Sequence, residues 1–545
     1  MAINPKTLVE RFYGEVWNRA DEAVAREILD PQFSFRGSLG PQRHGHEEFL
    51  HYLGAIHAAF ADYRCVIDDL VTSDSRAAAR MTFTGIHRGG LFGVPATGRV
   101  ITWVGAAFFT IAQSRVTRLW VIGDVDAVKR QLGAGTTDEF EPAPPVTLRL
   151  NGSASKNEVG MAVQPEAFIL KVSDDAIADL RERLACTRYP DQAPGAPWAY
   201  GTDVGYLQQL VEYWRTAFDW RAEEARLNAF AQYKVPLCGI DLHFLHVAGK
   251  GPAPCPLLLL HGWPGSVFEF IELIPRLSDP ARFGGDPADA FTVVAPSLPG
   301  YGLSFKPGQP RFGVEEIADC VAELMHDALG YPRFAVQGGD WGGITASRLG
   351  YAHPDKLIGI QVNLLSVRRD QQTAPDAPQE EKAYAEQLAQ WLREETGYQW
   401  IQGTRPQTLA FGLTDSPAGL AAWIIEKFRT WSDCGGDVET AFTRDRLLAN
   451  ISFYWFTGAI GSSFWPYYAR MHRPWPIPEG RTVDVPTGYA AFPREILRPP
   501  RSLAARTYTD IRRWTVMPRG GHFAALEQPE ALANEVREFF RPLRD

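Results

Sequence analysis

Gly338-Gly339-Asp340-Trp341-Gly342-Gly343 sets an acidic side chain between glycine pairs, just after the apolar run Phe334-Ala335-Val336. The run reads as a buried strand, and Ile344-Thr345-Ala346-Ser347 onward can be helical, giving a strand, a tight turn and a helix. Glycines relieve crowding where a backbone turns so sharply. A side chain at the point of such a turn stands clear of the sheet, and a serine there would suit acyl transfer on esters. Aspartate suits different chemistry: its carboxylate can attack an sp3 carbon and become an alkyl ester. An ordinary Asx-type loop is the competing reading, and the rest of the chain weighs against it.

Two further segments stand in the order that an α/β-hydrolase fold requires. Leu257-Leu258-Leu259-Leu260 is too short for a helix and ends at His261-Gly262-Trp263-Pro264-Gly265, so it reads as a buried central strand leaving its sheet. In that fold this loop and the residue after the nucleophile each lend a backbone N–H to an oxyanion hole, which points to the amides of Trp263 and Trp341. His261 reads as a turn-stabilising residue rather than a base. Arg519-Gly520-Gly521-His522-Phe523 follows the strand-like Trp514-Thr515-Val516-Met517 and places His522 where the fold holds its general base. The acid partner must then lie between Asp340 and His522. Strand-like Val483-Asp484-Val485, followed by Pro486-Thr487-Gly488-Tyr489 and Phe492-Pro493-Arg494-Glu495, offers Asp484 and Glu495.

Together these blocks resemble the microsomal-type epoxide hydrolases, from about Gln164 to the C-terminus. Phe168-Ile169-Leu170-Lys171-Val172, a helical Asp174-to-Ala185 segment and Thr187-Arg188-Tyr189-Pro190 look like that family's N-terminal extension. The resemblance implies a hydrolase without metal or organic cofactor, which opens a small-molecule epoxide to a vicinal diol through an Asp340 ester. It favours Glu495 over Asp484 as the acid that orients His522. It also implies two lid tyrosines that donate to the epoxide oxygen, at Tyr398 in Gly397-Tyr398-Gln399-Trp400 and at Tyr467, with the adjacent Tyr468 as rival for the second. More than a hundred residues separate Leu357–Leu365 from Val483, too many for a simple crossover. Helical-looking Tyr384–Thr396, Ala418–Trp431 and Leu447–Phe456 within them could form a lid that excludes water. Haloalkane dehalogenases also use aspartate followed by tryptophan, but a leaving halide needs N–H donors rather than a proton, so the tyrosines favour the epoxide.

At 545 residues the chain exceeds one ordinary domain. The Pro/Gly-rich polar segment from Gly133 to Pro165 reads as a linker, with Val146–Leu150 able to pair as an edge strand. The expected division is therefore residues 1–133, a linker at 134–164, the extension at 165–250, and a hydrolase core at 251–545 with its lid at about 366–482. The net charge of −9 offers no basic surplus for nucleic acid. Six cysteines without CxxC pairing suggest free thiols in a reducing compartment. Neither a signal peptide nor an apolar run near the ~20 residues of a membrane span is visible, which reads as a cytosolic protein.

Residues 1–133 read as α+β. Thr7–Arg19, Glu22–Leu29 and His46–Phe60 have helical spacing, and Cys65–Val71, Ala77–Thr84, Arg99–Thr110 and Val116–Ile122 alternate as strands. Helices first and a curved meander afterwards suggest a cone with a pocket, similar to the SnoaL-like branch of the NTF2-like superfamily. Asp124 and Asp126 are its nearest candidate acids, with a turn role the competing reading for Asp124. His44, His46 and His51 cluster, but no carboxylate set accompanies them, so a solvated helix start is the expected reading rather than a metal site. The domain could equally act as a homodimerisation module. The reading from a different class is a non-catalytic binding protein, with the lid pocket holding a ligand.

Overall fold

A computed structural model describes residues 4–37, 43–73, 75–92, 94–132, 164–368 and 374–544. The strand reading at 146–150 and the linker at 134–163 lie outside the described residues. The chain divides into two compact units, Met1–Lys156 and Asn157–Asp545.

The first unit curls one sheet around helices Pro5–Arg11, Glu22–Ile28 and Gly45–Ala59. Its strands are β1 (Leu29–Arg36), β2 (Arg43–His44), β3 (Phe60–Thr72), β4 (Arg76–His87), β5 (Val100–Ala112) and β6 (Arg115–Gly123), in the order β2-β1-β6-β5-β4-β3. Strict alternation along β4 buries Ala77, Ala79, Met81 and Phe83, as a half-covered strand requires. The helices-first expectation needs correction: β1 falls between the second and third helices and pairs parallel to β6. Asp30 and Pro31 interrupt its apolar pattern, which hides it from periodicity.

The second unit is a nine-stranded sheet. Its strands are β7 (Glu166–Phe168), β8 (Gln232–Leu237), β9 (Ile240–Val247), β10 (Cys255–Leu260), β11 (Phe291–Pro296), β12 (Phe334–Gly338), β13 (Leu357–Val362), β14 (Thr487–Ala491) and β15 (Ile511–Val516). The order is β15-β14-β13-β12-β10-β11-β9-β8-β7. The six strands from β15 to β11 run parallel and the remaining pairings are antiparallel. Every residue of central β12 is buried, as expected of a parallel strand covered on both faces. The expected strand at Val483–Val485 is reduced to one bridge, Val483 to Tyr508, and the strand proper begins at Thr487 in what reads as a turn. Pro486 ends the first pairing, and Gly488 is accommodated because a side chain there would press on the Phe539 ring. Between β13 and β14 lies a helical insertion, whose expected segments appear as Gln379–Glu394, Pro417–Trp431 and Arg444–Thr457. Gly397–Thr404, Pro406–Asp415 and Trp465–His472 are further helices of this lid.

Candidate active site

Asp340 occupies the sharp point between β12 and helix Asp340–Ala352, with φ +47°. Left-handed backbone is uncommon for a residue with a Cβ, and such strain persists where the surrounding fold enforces it. The helix N-terminus also favours an anion at this position. Gly262 lets the neighbouring loop come close, since a Cβ there would collide with the Asp340 carboxylate. The Trp263 amide donates to Asp340 Oδ1 at 2.7 Å. Among the described hydrogen bonds none runs from the Trp341 amide to this carboxylate.

His522 Nε2 stands 3.5 Å from Asp340 Oδ2, and its Nδ1 is 2.6 Å from Glu495 Oε1. Histidine and glutamate are both buried. Burial disfavours a charged imidazole, but the Glu495 and Asp340 carboxylates outweigh it and hold the His522 pKa well above its ordinary range. Asp484 is not in the cluster: it is exposed and accepts from Thr509 Oγ1 at 2.7 Å. His261 bonds Gly262 O and the Leu298 amide, and burial lowers its pKa to about 4, which fits a neutral brace for the loop.

The lid brings two phenols over the carboxylate. Tyr398 stacks on Trp263 with centroids 5.4 Å apart, and Tyr467 meets the Trp341 ring edge-on at 4.7 Å. The two tyrosine rings are 5.7 Å apart. Tyr468 instead stacks between Trp465 and His472 and does not line the cleft. Asp340, Trp341, Tyr398 and Tyr467 share a cleft of ≈ 980 Å³, its open mouth included, finished by Leu392 and Ile496. Burial raises the Tyr467 phenol well above its usual pKa, so it is held protonated.

Comparison with known proteins places the chain in a family. Residues 165–270 match the epoxide hydrolase N terminus model, 256–399 the alpha/beta hydrolase fold, and 7–132 the SnoaL-like polyketide cyclase model. The chain is 44% identical over 378 residues to a provisionally named epoxide hydrolase of Stigmatella aurantiaca, covering 69% of this chain and 85% of that one. It is 36% identical to epoxide hydrolase 1 of Oryctolagus cuniculus, covering 68% of this chain and 88% of the relative. The chain belongs to the epoxide hydrolase family. The juvenile hormone epoxide hydrolase structure from Bombyx mori superposes with a TM-score of 0.60 at 32% identity, covering 70% of this chain and 94% of that one. The epoxide hydrolase structure from Aspergillus niger gives 0.61 at 28% identity, covering 70% and 97%.

Several features of this epoxide hydrolase site escape its sequence. The lid and the histidine loop are tied together: the His522 amide donates to Trp431 O at 2.9 Å, and the Gly520 amide to Asp433 Oδ2 at 2.9 Å. Asn450 and Tyr454, from helix Arg444–Thr457, hold the carbonyls of Pro264 and Gly265 at 2.8 Å each. Lys427 lies buried, its Nζ 4.8 Å from the Tyr398 ring centroid and 2.5 Å from Glu426 Oε2. Nothing in the sequence around Glu426-Lys427 marks this burial. Glu269 lines a small cavity with Asp340 and His522, and nothing in its local pattern announces that.

In the first unit, a pocket of ≈ 590 Å³, its open mouth included, is lined by aromatic rings including Tyr13, Trp17, Phe60, Tyr63, Phe83 and Trp103. Asp124 lies outside it and caps helix Val125–Leu132 through the Ala127 amide at 2.9 Å, which is a turn role. The side chain of Asp126 lies outside the described residues. His46 Nε2 donates to Leu29 O at 3.2 Å, and among the described residues no group of three or more metal-ligating side chains forms a cation site. Among them, too, no helix is long and apolar enough to cross a membrane.

Proposed function

We propose that this epoxide hydrolase acts through a covalent alkyl ester on Asp340. The observation that carries the reading is one carboxylate addressed from two sides: Oδ1 accepts from the Trp263 amide at 2.7 Å, while Oδ2 faces His522 beneath the phenols. With Oδ1 occupied, Oδ2 attacks an epoxide carbon from behind and the C–O bond of the strained ring breaks. Tyr398 and Tyr467 orient the epoxide oxygen and give a proton to the alkoxide as it forms. Alkylation removes the charge of Asp340, and with it part of what holds His522 protonated. The imidazole pKa then falls, its proton replaces the one the tyrosine gave up, and neutral His522, oriented by Glu495, becomes the base for water. Water attacks Cγ of Asp340, the oxyanion meets the amides of Trp263 and Trp341, and the diol leaves. One such donor is typically worth about 3 kcal/mol of barrier.

A single turnover in ¹⁸O-labelled water tests the ester. The first diol released should carry no label, because its new oxygen comes from Asp340, and the label should appear in the Asp340 peptide. Label in the first diol would mean direct attack by water on the epoxide.

One observation favours a second reading: the indole N–H groups of Trp263 and Trp341 are buried and, among the described residues, have no acceptor. Such donors suit a leaving halide. Chloride release from a primary chloroalkane at a rate rivalling epoxide opening would support it.

The pairing with a SnoaL-like unit supports natural-product tailoring, with a polycyclic or polyketide-derived epoxide as substrate. Small generic epoxides turning over far better than polycyclic ones would count against this. Val66, Val104, Phe108, Trp120 and Ile122 expose apolar surface on one sheet face of that unit, which supports homodimerisation.

A further inference from the structure

Behind the nucleophile lies a second, smaller cavity that the ester chemistry has not yet used. Asp340, His522 and Glu269 line it together with Gln337 and Asn363, and it has room for about one water. Glu269 reaches it from the turn Val267–Phe270, folding back across Gly265, where a Cβ would collide with its carboxyl. The fold thus reserves a glycine for the approach of this side chain. Glu269 is half-buried, and the positive charge acting on it among the described residues is that of His522. Burial and the Asp340 charge, opposed by His522 and a backbone hydrogen bond from Ser266, push Glu269 up to about 8. At neutral pH it is therefore a largely uncharged acid with a carbonyl oxygen to offer.

We propose that Glu269 positions the hydrolytic water for attack on the Asp340 ester. The inference rests on the ester reading above. Water bound in this cavity donates one O–H to His522 Nε2 and the other to a Glu269 carboxyl oxygen, which turns a lone pair toward Asp340 Cγ. As the new O–C bond forms, the first proton passes to His522 and the ester C=O π electrons move to the oxygen beside the Trp263 amide. Collapse breaks the bond to the alkyl oxygen, which takes the proton from His522. Glu269 neither gains nor loses a proton. It acts by fixing the water, and it has no part in epoxide opening.

The test separates the two half-reactions. Stopped-flow tryptophan fluorescence reports alkylation, since Trp263 and Trp341 flank Asp340, and intact mass during turnover reports how much ester accumulates. Glu269→Ala should alkylate within twofold of wild type and hydrolyse on the order of 10²-fold more slowly, so that ester accumulates. Glu269→Gln keeps an acceptor oxygen in place and should restore most of the hydrolysis rate, which a merely structural contact at this site would not predict of the same pair. If the alanine variant fails to fold, Glu269→Asp, drawn back by one methylene, should show the same selective slowing. Equal slowing of both steps, or an alanine variant that hydrolyses normally, overturns the proposal. A wild type that never forms an adduct would instead overturn the ester reading.

Discussion

Tyr13 in the first unit and Tyr467 in the second are both buried phenols whose hydroxyls have no protein partner among the described residues. Burial raises both far above the usual tyrosine pKa. Their surroundings differ. Tyr13 sits edge-on to Phe12 and Phe109 in a cavity walled by aromatic rings. Tyr467 sits between Trp341, Trp263 and Tyr398, above a carboxylate paired with an imidazole. An unmade hydrogen bond costs stability in either place, typically about 1–3 kcal/mol. In the hydrolase cleft the phenol shares its pocket with the Asp340 carboxylate, whereas the group that acts on Tyr13 is the Cys65 thiol, which burial holds protonated. On the proposed mechanism, the comparison teaches that the same buried group is an idle polar atom or a proton donor according to what faces it.

Five substitutions would break or sharpen this contrast. The largest effect is expected for Asp340→Asn, which should lose turnover on the order of 10⁴-fold or more, measured as diol formed. Next come Tyr467→Phe and Tyr398→Phe, each expected to slow alkylation on the order of 10²-fold. Tyr467→Phe should at the same time leave stability unchanged or raised by about 1 kcal/mol in denaturant unfolding, since it deletes an unpartnered hydroxyl. A smaller effect separates charge from structure. Asp340→Asn removes one of the two carboxylates that hold His522 charged, so its imidazole should titrate at lower pH by NMR. The sign for stability follows. The raised pKa contributes stability that is fully present below pH ~6.5 and lost as pH rises through the folded value, and Asp340→Asn should shrink that contribution. The smallest effect on catalysis is expected from Tyr13→Phe, which should match Tyr467→Phe in stability yet leave epoxide turnover within twofold. Trp120→Glu should likewise spare turnover while shifting a dimer toward monomer in light scattering.

The sequence exposes the chemistry more readily than the scaffold that aims it. Asp340 and His522 are legible because glycines crowd their turns, and glycine spacing survives without any knowledge of packing. Glu495 is harder: its rival Asp484 sits at what looks like a strand end, and only the pairing of Thr487–Ala491 with its neighbours shows that the chain turns elsewhere. β1 is hidden by Asp30 and Pro31, which break its alternation. The tie between lid and histidine loop is invisible because it uses the Trp431 carbonyl, and backbone acceptors leave no trace in residue type. Lys427 and Glu269 carry no mark in the sequence because burial of a charged side chain is a property of the folded surroundings.

The central claim is that Asp340 becomes an ester and His522 releases it. It is tested most directly by the intact mass of His522→Gln after mixing with a generic aryl epoxide. Without the base, alkylation should proceed and hydrolysis should stall, giving a stoichiometric gain equal to the epoxide mass that is absent from Asp340→Asn/His522→Gln. An unmodified His522→Gln protein, under conditions where wild type converts the same epoxide to diol, would contradict the account.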